Sequence, residues 1–339
     1  MSLRSALSAL AALTGVVFLA VVGLCVYAVI TPSSSYLLLP DKPHLVAPII
    51  EVKGGHEDNQ GGFYFVDVVE RKATLAERYV SFLRNGGQLV PRQEIVPTNL
   101  SERESARLDA AAMTLSKLTA EAVALKHLGY HVVIRPAGMR IEQTAEGSPA
   151  ATKLLPGDVI VAVDGKTALT EPRLHALIDR HRVGQNVGLT VVRAGRRTRL
   201  TIRTYALRSS PKVPMIGVFI KQAASIKLPI KVEINAGNVV GPSAGLAFAL
   251  ELTEKLNGNA DRGYRVAATG ELALNGSVVP IGGVEQKVIG AKRAGIEIML
   301  VPTGDNAVTA RRYAGDMKII AVTSFQQALR ALATLPPHK

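Results

Sequence analysis

The stretch Asn238-Val239-Val240-Gly241-Pro242-Ser243-Ala244-Gly245-Leu246 sets a serine between glycines at the mouth of an apolar run that reaches Asn257-Gly258. Taken alone, the stretch has two readings. One is a helix N-cap, because a serine oxygen readily accepts an unpaired N–H of the first helical turn. The other is a nucleophile presented on a tight turn, because Gly241, Ser243 and Gly245 fit G-x-S-x-G.

The remainder of the chain separates the kinds of nucleophile. A hydrolase elbow requires an acid and then a histidine downstream of the serine. The histidines are His44, His56, His127, His131, His175, His181 and His338, and only His338 follows Ser243, behind Pro336-Pro337 and beside the last residue. That is a poor position for a rigid base, so an α/β-hydrolase or esterase triad is disfavoured. A lysine base is the remaining simple option. Pro280-Ile281-Gly282-Gly283-Val284-Glu285-Gln286-Lys287 opens a helical pattern. On a wheel of about 100° per residue, Val284, Val288, Ala291, Ala294 and Gly295 share a face. Lys287 falls between Ala291 and Ala294, whereas Glu285, Gln286, Lys292 and Arg293 point elsewhere. A desolvated lysine has a lowered pKa, and its neutral amine can activate a serine. A lysine that snorkels its charge to water along an apolar stem fits the same wheel. The pattern alone leaves both open.

An ordered set of motifs carries a resemblance. Gly241-Pro242-Ser243-Ala244-Gly245, Thr269-Gly270-Glu271-Leu272, Gly276-Ser277-Val278-Val279-Pro280-Ile281-Gly282-Gly283, Lys287, Ala294-Gly295-Ile296 and Val301-Pro302 follow in that order. Together they resemble the proteolytic domain of Lon-type serine proteases over roughly residues 215–325. The resemblance implies an α+β proteolytic domain with a Ser243–Lys287 dyad, and with Thr269 orienting the lysine. It implies an oxyanion site in the backbone around Gly241, Pro242 and Ala244, polypeptide substrates, and a homo-oligomer such as a hexamer. Val239-Val240 departs from many members, which carry a lysine and an acid there. The chain contains no G-x-x-x-x-G-K-[ST] motif, so ATP use is not expected. No cofactor and no metal are implied.

Upstream, residues 5–40 carry no charge, and Leu7 to Ile30 is almost wholly apolar. At about 1.5 Å per residue this stretch crosses a hydrocarbon core of about 30 Å. It exceeds the usual signal-peptide core, so an uncleaved single-pass anchor is expected. Arg4 and the terminal amine favour a cytoplasmic N-terminus with the bulk of the chain outside. Thr31-Pro32-Ser33-Ser34-Ser35 then breaks the helix. Strands are expected at Val46 to Lys53 and Phe63 to Glu70, with a glycine-rich turn at 54–62. Helices are expected at Thr74–Leu83 and from Ser101 to Leu128, the second opened by a Ser101/Glu104 capping box.

From Tyr130 the texture changes to short strands and glycine turns. Asp164-Gly165 is a tight-turn signal, Glu171 to His181 reads as a helix, and Val187–Val192 with Arg197–Arg203 reads as a hairpin. This order, above all Gly147 through Gly165, resembles a bacterial-type PDZ domain, a β-sandwich or barrel module that adds a peptide strand to a sheet edge. The resemblance directs peptide binding to Gly138, Met139 and Ile141. The expected division is an anchor and linker at 1–35, a scaffold at 36–129, a PDZ-like module at 130–207 and a Lon-type domain at 208–339. The layout resembles membrane-anchored, ATP-independent Lon-like proteases with a PDZ domain. A membrane-tethered PDZ adaptor with an inactive protease domain is the alternative.

Composition narrows the partners. The net charge is +13, but there is no tryptophan, aromatics make up 4%, and no basic run is interleaved with stacking rings. Nucleic acid is therefore not an expected partner. The single cysteine, Cys25, excludes a disulfide framework within one chain.

Overall fold

A computed structural model describes residues 3–56, 60–84, 86–96 and 100–338, with side chains in the first helix from Leu13 onward. Residues 57–59 of the expected turn and the Arg4 side chain lie outside the described residues. The molecule is a mixed α/β, multidomain chain. Its principal elements in chain order are α1 (Leu3–Ile30), β1 (Pro32–Pro40), β2 (Gly62–Phe65), β3 (Val68–Thr74), α2 (Leu75–Tyr79), β4 (Gln88–Pro91), α3 (Glu102–His127), β5 (Val133–Thr144) and β6 (Val159–Val163). These are followed by α4 (Glu171–Ile178), β7 (Asn186–Arg193), β8 (Arg196–Arg203), β9 (Val218–Lys227), α5 (Gly245–Asn257), β10 (Arg265–Ala268), α6 (Val284–Arg293), β11 (Ile298–Pro302), α7 (Asp305–Ala314), β12 (Lys318–Val322) and α8 (Phe325–Ala333). Two compact units result. One comprises Met1–Ser105, Ala112–Ala124 and Val232–Lys339, and the other Ala106–Ala111 and Leu125–Lys231.

In the first unit β2, β10, β11 and β12 form a parallel sheet, with His44–Leu45 antiparallel at its edge. Parallel strands covered on both faces read as continuous apolar runs. Ile298–Pro302 does so, and all its residues are buried. Helix α5 is buried from Gly245 to Glu254, which explains its lack of a polar face. Val66, Ala267, Val284, Val288, Ala291 and Met299 belong to one core cluster.

The expected strand from Phe63 to Glu70 is two strands. β2 pairs with β10, whereas β3 pairs antiparallel with β1 in a separate sheet. The chain turns from one sheet to the other at Val66-Asp67. The strand expected at Val46–Lys53 begins only at Ile50, because Pro48 sits in a short 3₁₀ turn over Ala47–Ile49. The expected Thr74–Leu83 helix stops at Tyr79, where Val80 is extended, and Ser81–Arg84 forms a separate 3₁₀ turn. The Ser101/Glu104 capping pair is formed. Helix α1 is long and apolar enough to cross a membrane, with mean hydropathy 2.6 over Leu13–Ile30 and none of that window buried.

The second unit is an antiparallel sheet in the order β8-β7-β6-β5-β9, packed with α4 over Met139, Ile141, Leu154, Ile160 and Leu189. Asp164 and Gly165 adopt positive φ, 48° and 76°, and close a tight turn between Val163 and Lys166. Ser210–Met215, which holds Pro211 and Pro214, is a strand paired with Tyr205–Leu207. Prolines are tolerated there because this two-stranded ribbon is not a central ladder. β9 then pairs with β5 from Val218↔Thr144 to Lys227↔Val133.

That pairing corrects the expected peptide site. β5 lies between β6 and β9, so neither of its sides is an open edge. The Gly138 carbonyl accepts from Gln222 of β9, and Met139 and Ile141 are core side chains. Gly138, Met139 and Ile141 therefore build the sheet rather than receive a strand.

Candidate active site

Helix α5 begins at Gly245, and its N-cap position falls on Ala244, which makes no side-chain capping bond. Ser243 thus stands outside the helix, and the cap reading gives way. Gly241 enables the approach by adopting φ 85°. The loop is held at two carbonyls. The Ser243 carbonyl accepts from the Gly270 N–H at 2.8 Å and from the Thr269 hydroxyl at 3.3 Å. The Pro242 carbonyl accepts from the Ser116 hydroxyl of α3 at 2.9 Å and from the Gly245 N–H at 3.3 Å. A side chain on Gly245 would meet the Ser116 oxygen at 2.9 Å, so glycine permits this close packing.

Lys287 lies in the first turn of α6, where its N–H donates to the Gly283 carbonyl. Gly283 is left-handed, with φ 67°, and this turns the chain into the helix. The Lys287 amine lies 2.8 Å from the Ser243 hydroxyl oxygen and 3.5 Å from the Thr269 hydroxyl oxygen. Lys287 is only 3% exposed and Thr269 is fully buried. The lysine does not snorkel.

Burial lowers the Lys287 pKa to about 8, and the carboxylates of Asp67 and then Glu70 oppose that shift. Asp67 is itself raised, chiefly by burial, against the Val68 N–H and then Lys287. Its neighbours place it. Val66 and Val284 share a core cluster, and Val68 lies 3.0 Å from where a Gly283 side chain would start. Asp67 therefore sits at the foot of α6, on the corner between β2 and β3.

Sequence reasoning missed Asp67, Glu70 and Ser116, since no local motif marks them. It also turned Gln286 outward. Gln286 is fully buried, and among the described residues neither its side-chain oxygen nor its nitrogen has a hydrogen-bond partner. α6 is covered on more than one flank: a side chain at Gly290 would collide with the Asp41 carbonyl. His338, the sole histidine after Ser243, is engaged by Glu297 at 2.6 Å and by the Tyr264 ring. Among the described residues no group of His, Cys, Asp and Glu could hold a metal ion.

With this geometry in place, the likenesses are specific. Residues 218–334 match the Lon protease (S16) C-terminal proteolytic domain, and residues 123–204 match the PDZ domain. The chain is 44% identical over 80 residues to Lon protease 1 of Sorangium cellulosum, covering 23% of this chain and 10% of that protein. It is 39% identical over 108 residues to Lon protease of Clostridium beijerinckii, covering 30% and 13%. It is 37% identical over 97 residues to Lon protease 2 of Bacillus subtilis, covering 29% and 17%. The chain thus spans a small part of the length of these relatives. A solved PDZ domain of an SdrC-like protein from Listeria monocytogenes aligns at 23% identity and TM-score 0.23, covering 24% of this chain and 86% of that one.

Proposed function

We propose that this chain, which carries a Lon-type proteolytic domain and a PDZ domain, is a membrane-tethered, ATP-independent serine endopeptidase. The observation that carries the reading is the buried Lys287 amine 2.8 Å from the Ser243 hydroxyl. A pKa of about 8 leaves an appreciable neutral fraction near neutral pH. Neutral Lys287 takes the hydroxyl proton as Ser243 Oγ attacks a peptide carbonyl. The resulting ammonium returns that proton to the departing amine nitrogen as the C–N bond breaks. Water then attacks the ester, giving its proton to Lys287, and the released Ser243 oxygen recovers one. Thr269 holds the amine and the Ser243 carbonyl together.

The oxyanion role falls on the backbone beside Ser243. Pro242 has no N–H, and the Gly245 and Leu246 N–H groups already donate to Pro242 and Gly270. Ser243 and Ala244 are the donors, with Gly241 and Pro242 shaping the turn. Fixed N–H groups there stabilise the charge that develops on the carbonyl oxygen.

The sheet of the PDZ module is extended by β9, at the start of the Lon-matching stretch, and the substrate groove lies on β9 rather than β5. β9 is an edge of its sheet among the described residues. A cavity of about 310 Å³ runs between it and α4, lined by Leu174, Ile178, Ile216, Gly217, Val218 and Phe219 among others. An extended polypeptide added at that edge would gain main-chain hydrogen bonds and an apolar floor. α1 is the single-pass anchor, with its N-terminus cytoplasmic and the proteolytic unit outside. Exported or membrane-associated polypeptides are the substrates, and the active form is a homo-oligomer.

The test is cleavage of casein by purified full-length protein without nucleotide. Wild type should cleave, and Ser243→Ala and Lys287→Ala should not, while both keep wild-type circular dichroism. Retained cleavage by Ser243→Ala would remove the dyad. A fully inactive wild type would favour the adaptor reading.

A further inference from the structure

Helix α1 passes directly into the folded unit. The Thr31 N–H donates to the Tyr27 carbonyl at 3.0 Å, and the Thr31 carbonyl accepts from the Leu75 N–H at 2.9 Å. Pro32 pairs with Thr74 in the β1–β3 ladder. The start of α2 is therefore tied to the residue that follows the apolar helix. At about 1.5 Å rise per residue, Tyr79 lies only about 6 Å along α2 from that tie. The headgroup layer on each side of a bilayer is of the same order, roughly 5–8 Å.

Three apolar side chains of this segment face solvent. Tyr79 is 78% exposed, Phe82 83% and Leu83 42%. Scattered exposed apolar residues are ordinary on a protein surface, but contiguous ones call for a partner. The segment is also well braced. Thr74 and Glu77 form a full capping box, and Arg84 donates to the Glu77 and Arg78 carbonyls at 2.8 and 2.9 Å. The Arg78 guanidinium lies 5.8 Å from the Tyr79 ring centroid and donates to the Ser34 hydroxyl. Rings thus project from a fixed turn flanked by cationic side chains. Tyr27 lies within the last turn of α1 and is itself 55% exposed.

We propose that Thr74–Arg84 is an interfacial docking ribbon, in which Tyr79 and Phe82 seat in the headgroup layer of the bilayer that α1 crosses. The occupant is lipid because the ribbon is continuous with the membrane helix, and because an amphipathic tyrosine and an apolar phenylalanine beside cationic groups are the composition that settles at a membrane–water boundary. The inference rests on the reading of α1 as an uncleaved span. Its consequence is that the proteolytic unit is held against the membrane at a second point, not merely suspended from a tether.

The chain contains no tryptophan, so a single introduced one reports its own surroundings. Full-length Phe82→Trp, Tyr79→Trp and Phe18→Trp are reconstituted separately in vesicles of phosphatidylcholine and phosphatidylglycerol. Quenching is compared between lipids brominated near the headgroup, lipids brominated near the chain ends, and aqueous iodide. Phe82→Trp and Tyr79→Trp should emit to the blue and be quenched most by the shallow bromines. Phe18→Trp, within the span, should respond to the deep ones. If Phe18→Trp responds to bromolipid while Phe82→Trp and Tyr79→Trp respond only to iodide, the ribbon is not docked and the inference falls alone. If Phe18→Trp ignores bromolipid, the anchor reading fails and the ribbon falls with it. Blue-shifted emission untouched by bromolipid would place a protein surface there, such as a second copy, and would overturn the proposal.

Discussion

Ser116 and Pro242 stand 126 residues apart in the chain, yet the Ser116 hydroxyl donates to the Pro242 carbonyl at 2.9 Å. This bond braces the peptide unit immediately before Ser243, the proposed nucleophile, from outside the motif that contains it. Small displacements of a reacting group are costly in rate. Ser116→Ala removes the donor and leaves a carbonyl that still accepts from Gly245. We expect a stability loss of about 1 kcal/mol, the net worth of a typical hydrogen bond. We expect kcat to fall by roughly tenfold, as for a slightly misplaced nucleophile, with KM little changed. A fall in KM-controlled binding at constant kcat would show that the brace serves substrate rather than Ser243.

The acid limb of the activity profile should report Lys287. Its pKa of about 8 sets the midpoint below which the base is protonated and kcat/KM declines. Asp67 is one of the two carboxylates that hold the proton on the amine, against the effect of burial. Asp67→Asn removes that attraction, so the limb should move to lower pH, and Asp67→Glu should move it back. A loss of amplitude with an unshifted limb would show that Asp67 is only a packing residue at the corner of β2 and β3.

That Ser243, Lys287 and Thr269 come together is legible in the chain because each sits in a local glycine-rich motif whose spacing is set by one turn and one helix start. Asp67 could not. It reaches α6 because a single apolar run splits between two sheets, and nothing within Phe63 to Glu70 announces that division. Gln286 was turned outward by a wheel that assumes one buried face, whereas α6 is covered on more than one flank. β5 is an interior strand, not an edge, for a similar reason. Strand order in the sheet depends on pairing with a distant segment, and β9 is separated from β5 by the whole of the intervening module and a proline-bearing hairpin.

Gln286 offers a stability test independent of catalysis. Its amide is fully buried with no hydrogen-bond partner at either atom among the described residues. An unpaired buried polar group costs about 1–3 kcal/mol. Gln286→Leu should remove that cost at similar volume and raise Tm by several degrees, read by thermal circular dichroism at fixed pH. A lower Tm would mean that the amide is satisfied in solution by a group such as ordered water.

The β9 groove predicts a separation of binding from chemistry. Phe219 lines the cavity and is 60% exposed, so a polar replacement costs the fold little. Phe219→Asp should weaken capture of an extended polypeptide by about tenfold, comparable to losing one well-buried apolar contact. Fluorescence anisotropy with labelled, unfolded casein measures this directly. Hydrolysis of a short fluorogenic peptide, which has no length to reach the groove, should be unchanged. Equal loss of both activities would place Phe219 in the folding of the module instead.

Lys287 should also make the protein less stable than it need be, in a pH-dependent way. In the unfolded chain a lysine titrates near 10.4, whereas burial brings Lys287 to about 8 in the folded state. Below pH 8 both states hold the proton, and the folded state bears the whole cost of a buried ammonium. Between the two values only the unfolded chain holds it, so stability rises with pH across that window. The gap corresponds to about 3 kcal/mol. Lys287→Met keeps the stem and deletes the charge. It should abolish cleavage yet raise Tm at pH 7, and the gain should shrink toward zero as pH approaches 10. A gain of constant size across that range would trace to packing by methionine, and the amine would then be no more costly buried than free.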